Sequence, residues 1–141
     1  MTILSEDDLL TIHERALAEC GGGRAGLLHP RLLGAAIGRA QSGWEEAEFY
    51  PSLFAKAAAL LESLIRNHPF VDGNKRTGLM AASALLELNG WEPVFTLEEA
   101  EYLTLGVEAR KLRLPAVIAW LEAHSRPRSV SLPLLLPGEG G

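Results

Sequence analysis

The 141-residue chain predicts an all-α fold. Apolar residues recur three and four positions apart in segment after segment, and the gaps between segments carry glycine or proline. Alanine and leucine dominate the apolar set, while β-branched residues are few and aromatics make up 6%, a balance that favours helix over strand. With 48% hydrophobic residues, there is enough apolar surface for one core, and the length suits one domain.

The elements follow in order. Ser5 with an acid three residues on gives a capping-box-like start to a first helix with Leu9, Ile12 and Leu17 near one face, ending at Gly21, Gly22 and Gly23. Pro30 suits the first turn of a second helix that places Leu33, Ala36, Ile37 and Ala40 at helical spacing, weakened by Gly34 and Gly38. Residues 42–50 mix three aromatics with three acids and have no clear period. They read as a loop or short hairpin able to cover a site; Trp44, like Trp91 and Trp120, reads as a packing residue, with contact surface as the alternative for Trp44. A third helix, Pro51 to Asn67, carries Leu53, Ala57, Leu60, Leu61, Leu64 and Ile65 as one stripe. His68 stands four residues after Leu64, which points it inward, and Pro69 ends the helix there.

The segment Asn74 to Asn89 is apolar nearly all round, which predicts the buried central helix of a bundle, stopped by Gly90. "WEPVF" is an extended connector. Thr96 with Glu99 makes a second capping box ahead of a fifth helix, and "LPAVIAWLEAHS" supplies a sixth. The domain therefore spans 1–124, and 125–141, with Pro127, Pro133, Pro137 and a Gly-rich end, is an extended or disordered tail.

Charge and cysteine usage narrow the class. A net charge of -5 excludes the broad basic surface that neutralises duplex phosphates, so no direct nucleic-acid binding is expected. Cys20 is the single cysteine and forms no internal disulfide; "MTILSEDDLL" is acidic where a secretory signal is basic and then apolar. No apolar run is long enough to span a bilayer, so the expected location is the cytoplasm.

The chemistry concentrates in "HPFVDGNKRTG", residues 68–78, at the joint between the two most apolar segments. A helix start presents free N–H groups and the positive end of the macrodipole, and Gly73 just before it lets backbone approach a ligand. Lys75 and Arg76 in that first turn oppose the macrodipole unless an anion sits there, which predicts a phosphate site. Asp72 beside it suits Mg²⁺, which takes one or two carboxylates plus phosphate oxygens. His68 is the natural general base, since histidine ordinarily titrates near neutrality. The implied reaction is transfer from a nucleotide to a hydroxyl. Each residue alone has a plainer explanation: a helix-end histidine, an Asp-Gly turn, a solvated pair of cations. Their order and spacing favour the site. His13, His29 and His124 have no such company and read as ordinary structural histidines.

This stretch resembles the Fic/Doc signature, which runs His, any residue, Phe, any residue, Asp or Glu, Gly or Ala, Asn, then Gly or Lys, and Arg. "GGGRAGLLHPRLLGAAIGRAQS" is also similar to the Gly-rich turn and second helix of death-on-curing toxins. The resemblance implies an all-helical bundle of about six helices whose central hairpin carries the motif. It implies His68 as base, Phe70 as buried loop anchor, Asp72 as metal residue, and Gly73, Asn74, Lys75 and Arg76 as phosphate cradle. Mg²⁺ and ATP, or another nucleotide, are the implied cofactor and co-substrate.

Two positions bear on the subtype. AMP-transferring Fic enzymes usually have glycine where this chain has Lys75 and a second arginine where it has Leu79. Both substitutions resemble the Doc branch, which binds the nucleotide the other way round and passes on its γ-phosphate. The implied activity is protein kinase, with elongation factor Tu as the implied target. Gly73 and Pro69 are more Fic-like, and His29 and Gly34 stand where many Doc-type chains have acids. "TLGVEA" at Thr104 approaches the self-inhibitory Ser/Thr-x-x-x-Glu-Gly/Asn pattern but ends in alanine, so restraint is expected from a separate antitoxin. The competing readings are AMP transfer, a catalytically silent nucleotide- or partner-binding module, and a metal-dependent hydrolase; the last has too few ligands.

Overall fold

The computed structural model describes residues 1–19, 21–41, 43–44, 47–48 and 52–128. Its order is α1 (Glu6–Glu19), α2 (Arg31–Gln41), β1 (Gly43–Trp44), β2 (Ala47–Glu48), α3 (Leu53–Asn67), α4 (Asn74–Leu88), β3 (Trp91–Pro93), α5 (Leu97–Glu108), α6 (Leu114–Ala123) and β4 (Ser125–Pro127). The fold is helical, as its composition predicts. Both capping boxes form: Ser5 and Asp8 exchange bonds of 2.8 and 3.1 Å, and Thr96 and Glu99 bonds of 2.8 and 3.1 Å. The Thr96 N–H, with help from His124, holds the Glu99 carboxyl below its usual range. Residues 43–44 and 47–48 pair as an antiparallel hairpin, Gly43 with Glu48 and Trp44 with Ala47. Cys20 and the Trp44 side chain lie outside what is described.

The helix hairpin α3–α4 is the centre, but α3 is the more enclosed arm. It buries every residue from Ala55 to Ile65 and packs against α2, α4, α5 and α6. Ala57, Ala58 and Ala59 are small enough to let neighbours close in on several sides. The arm expected to be most buried, α4, leaves Glu87 and Leu88 exposed and Met80, Ser83 and Ala84 partly so. The hairpin arms approach closely at Gly78: a Cβ there would meet Ile65 Cγ1 at 2.9 Å and the Leu61 carbonyl oxygen at 3.2 Å. Polar ties complete the packing. Glu62, 5% exposed, accepts from Arg39 of α2 at 2.7 Å and from Arg66 at 3.1 Å. Arg66 in turn reaches the carbonyls of Val107 and Leu112.

Two expectations are corrected at the C-terminal side. "WEPVF" is more than a connector, and the chain past His124 does not leave the domain at once. Trp91, Glu92 and Pro93 pair antiparallel with Pro127, Arg126 and Ser125. The prolines stand at the edge of a two-stranded ribbon, where a missing N–H is tolerated. Arg128 then donates to the carbonyls of Gly90 and Glu87, both at 2.8 Å. Residues 129–141, the rest of the expected tail, lie outside the described part. No helix among the described residues is long and apolar enough to cross a membrane.

Candidate active site

The motif occupies the turn between α3 and α4, and its shape begins at His68. Pro69 disfavours right-handed helical geometry at the residue before it, and His68 adopts φ 49°, ψ 62°. This left-handed conformation is costly for a side chain other than glycine, of order 1 kcal/mol. It also turns the imidazole away from the Leu64 stripe. The ring is therefore 52% exposed and does not point into the core as the helical spacing predicts.

The rest of the turn is held from two sides. The segment after α1 runs antiparallel to it: Val71 N–H donates to the Gly26 carbonyl at 3.0 Å, and the Leu28 and His29 N–H groups donate to the Pro69 carbonyl at 2.8 and 3.1 Å. From inside, Asn74, 5% exposed, accepts from Phe70 N–H at 3.0 Å and donates to the Phe70 carbonyl at 2.9 Å. Phe70 itself is 1% exposed. The Asn74 side chain is thus committed to the loop, leaving its backbone N–H to any phosphate cradle. Its Nδ2 also lies 3.4 Å from His68 Nδ1.

At the head of α4, Gly73 caps the helix at φ 82° with no side chain bonded to it. A Cβ there would press on Leu17 Cδ2 at 3.1 Å, so glycine serves both the angle and the space. First-turn N–H groups thus face a cleft of about 270 Å³ lined by Gly73, Lys75, Arg76, Leu79 and Thr104. A second groove, about 590 Å³, shares Arg76 and Leu79 and continues over Ile12, Met80 and Phe95. The anion that Lys75 calls for is supplied by the chain itself: Glu108, at the end of α5, lies 3.2 Å from Lys75 Nζ and 3.8 Å from His68 Nε2. Arg76 pairs with Glu19 of α1 at 3.2 Å. All four side chains are at least a third exposed, so each pair contributes about 0–1 kcal/mol and a phosphate can replace either acid.

Asp72 is exposed, with Oδ2 accepting the Arg24 N–H at 2.8 Å. Among the described residues no three His, Cys, Asp or Glu gather as a closed metal cage. Asp72 does not itself line the cleft but precedes Gly73, which does; a lone exposed carboxylate there suits an ion that keeps waters and borrows phosphate oxygens, as Mg²⁺ does.

Comparison with known proteins agrees with this arrangement. A family model described as the Fic/DOC family matches residues 3–86. The chain belongs to the Fic/Doc family. It is also 40% identical over 120 residues to the protein named Toxin Doc of Mycolicibacterium smegmatis (strain ATCC 700084 / mc(2)155), covering 84% of this chain and 89% of that one. The Fic/Doc helical fold and the observed six helices among the described residues are in accord.

Four contacts of the Fic/Doc motif were not foreseen from sequence. Glu19 and Glu108 meet its cations, His13 bonds the Asp72 backbone, and the Arg24 amide bonds the Asp72 side chain. His13 had a signal, since it is a polar residue on the stripe of Leu9 and Ala16. Glu108 had one too, as the acid of "TLGVEA". Arg24 acts through its backbone, which leaves no mark in a side-chain pattern.

Proposed function

We propose that this Fic/Doc protein is a Doc-type toxin of a toxin–antitoxin module. As such it acts as a protein kinase, transferring the γ-phosphate of ATP or another nucleotide to a hydroxyl side chain of a translation factor, with elongation factor Tu as the family-implied target, and so arrests growth in the cytoplasm. The observation that carries the reading is at two positions of α4. Lys75, tied to Glu108 at 3.2 Å, stands where AMP-transferring Fic enzymes usually have glycine; Leu79, 9% exposed, stands where they usually have a second arginine.

In this reading His68 takes the proton of the acceptor hydroxyl at its unprotonated ring nitrogen. The hydroxyl oxygen bonds to the γ-phosphorus as the bond to the β–γ bridging oxygen breaks, and the electron pair leaves with the nucleoside diphosphate. The α4 amides, Lys75 and Arg76 hold the phosphates, with Glu19 and Glu108 displaced. Asp72 would hold Mg²⁺, which when bound neutralises phosphate charge. A cognate antitoxin segment is assigned to the 590 Å³ groove, which is lined by apolar Ile12, Leu79 and Phe95 and by Arg15, Arg76, Glu19 and Glu87.

The test is incubation with ATP labelled separately at the α and γ positions, with purified elongation factor Tu and cell lysate as acceptors. Label from the γ position alone is expected on protein. Protein-bound α label would replace the kinase reading by AMP transfer, and no transfer of either label would leave a silent binding module.

A further inference from the structure

His13 of α1 lies directly beneath the motif. It is 6% exposed, and its ring is parallel to that of Phe70, with centroids 3.7 Å apart and 5° between planes. Its Nε2 is 2.8 Å from the Asp72 carbonyl oxygen. A carbonyl only accepts, so Nε2 carries the hydrogen and the ring donates. The same edge borders the cap of α4: a Cβ on Gly73 would stand 3.6 Å from His13 Cδ2 and Nε2.

Asp72 is therefore gripped at two points by two different segments. His13 holds its carbonyl, and the Arg24 N–H holds Oδ2 at 2.8 Å. Together they set the direction of the other carboxylate oxygen and of the peptide that opens α4. Packing alone would be served by an apolar side chain of similar reach, such as methionine, on this stripe between Leu9 and Leu17. The donor is what methionine lacks.

We infer that His13 is a positioning residue: it touches no substrate, and acts by fixing the Asp72–Gly73 peptide through its Nε2–H donor. What is positioned rests on the reading of the site as a Mg²⁺-dependent phosphate-transfer centre. The positioning itself is measurable without that chemistry.

The experiment compares H13M, which keeps an apolar side chain of similar reach and removes the donor, with H13Q, whose amide nitrogen reaches about as far as Nε2. Thermal melting establishes that each is folded. Three readouts follow: hydrogen exchange of the Val71–Asn74 amides, kcat against KM for ATP, and the Mg²⁺ concentration at half-maximal rate. H13M is expected to exchange these amides faster, to lose about tenfold to a hundredfold in kcat with a smaller change in KM, and to need more Mg²⁺, as misplacement of a reacting group does. H13Q is expected to restore all three toward wild type. An H13M protein matching wild type in exchange, or an H13Q protein no better than H13M, overturns the inference. If H13M does not fold, H13L against H13Q gives the contrast without and with a donor. If wild type transfers no phosphate, the proposed function fails, and amide exchange alone decides the role of His13.

Discussion

Replacing Asn74 by alanine should destabilise the protein far more than the loss of one small side chain suggests. The Asn74 carboxamide is the partner of both the N–H and the C=O of Phe70, at 3.0 and 2.9 Å. Leu27 and Phe70 face each other across an isolated bridge, but its hydrogen bonds run through Leu28 and Val71. Alanine thus orphans two backbone groups at a residue only 1% exposed. An orphaned buried group costs about 1–3 kcal/mol, so two give about 2–6 kcal/mol. The turn opens to solvent at His68 and Asp72 and can relax, which puts the expected loss at about 2–4 kcal/mol, a large part of an ordinary domain's stability. Urea unfolding followed by circular dichroism should show a midpoint lower by about 1–2 M with unchanged slope. N74D keeps the acceptor but brings a second oxygen against the Phe70 carbonyl, and should lose at least as much. An N74A midpoint within about 0.2 M of wild type at the same slope would refute the argument.

Three other outcomes are expected. H68A should stay folded and bind ATP, since the ring is half exposed, while transfer falls about 10²- to 10⁴-fold and growth arrest is lost; arrest at the wild-type rate would remove His68 from the mechanism. G78A should gain about 1 kcal/mol of helix propensity yet lose about 1–3 kcal/mol to overpacking, because its Cβ meets the Leu61 carbonyl, so calorimetry should find a lower melting temperature. Truncation after His124 removes β4 and the bonds of Arg128 to Gly90 and Glu87, and should melt below a chain truncated after Arg128; equal melting would mean the ribbon adds nothing.

The helices were legible because their signals are local. Ser5, Thr96, Pro69 and Gly90 mark ends by chemistry that acts within a few residues, and the apolar stripes mark the faces. The motif was legible because its spacing is short. What was missed depends on partners distant in sequence. Helical spacing placed His68 inward, but that spacing ceases to hold at a residue that leaves the helix with positive φ. Glu108 lies 33 residues from Lys75, and Glu19 57 from Arg76. Only the fold brings them together. The β3–β4 ribbon was hidden for the same reason: two short, proline-bearing segments become strands only when each finds the other.

The paired cations of the motif have a consequence for how a ligand arrives. Counting Lys75 and Arg76 against Glu19, Glu108 and Asp72 gives two positive and three negative charges, on a chain whose net charge is already -5. A polyanion approaching from beyond the Debye length of about 8 Å at physiological ionic strength feels no attraction, and nearer in it feels weak repulsion. If the site takes a nucleotide as proposed, capture is decided at contact, where phosphate oxygens would take over the amides and the two cations. Sites that steer their ligands slow as salt is added. This one should load nucleotide faster as salt rises, and faster for nucleotide whose charge is already reduced by magnesium.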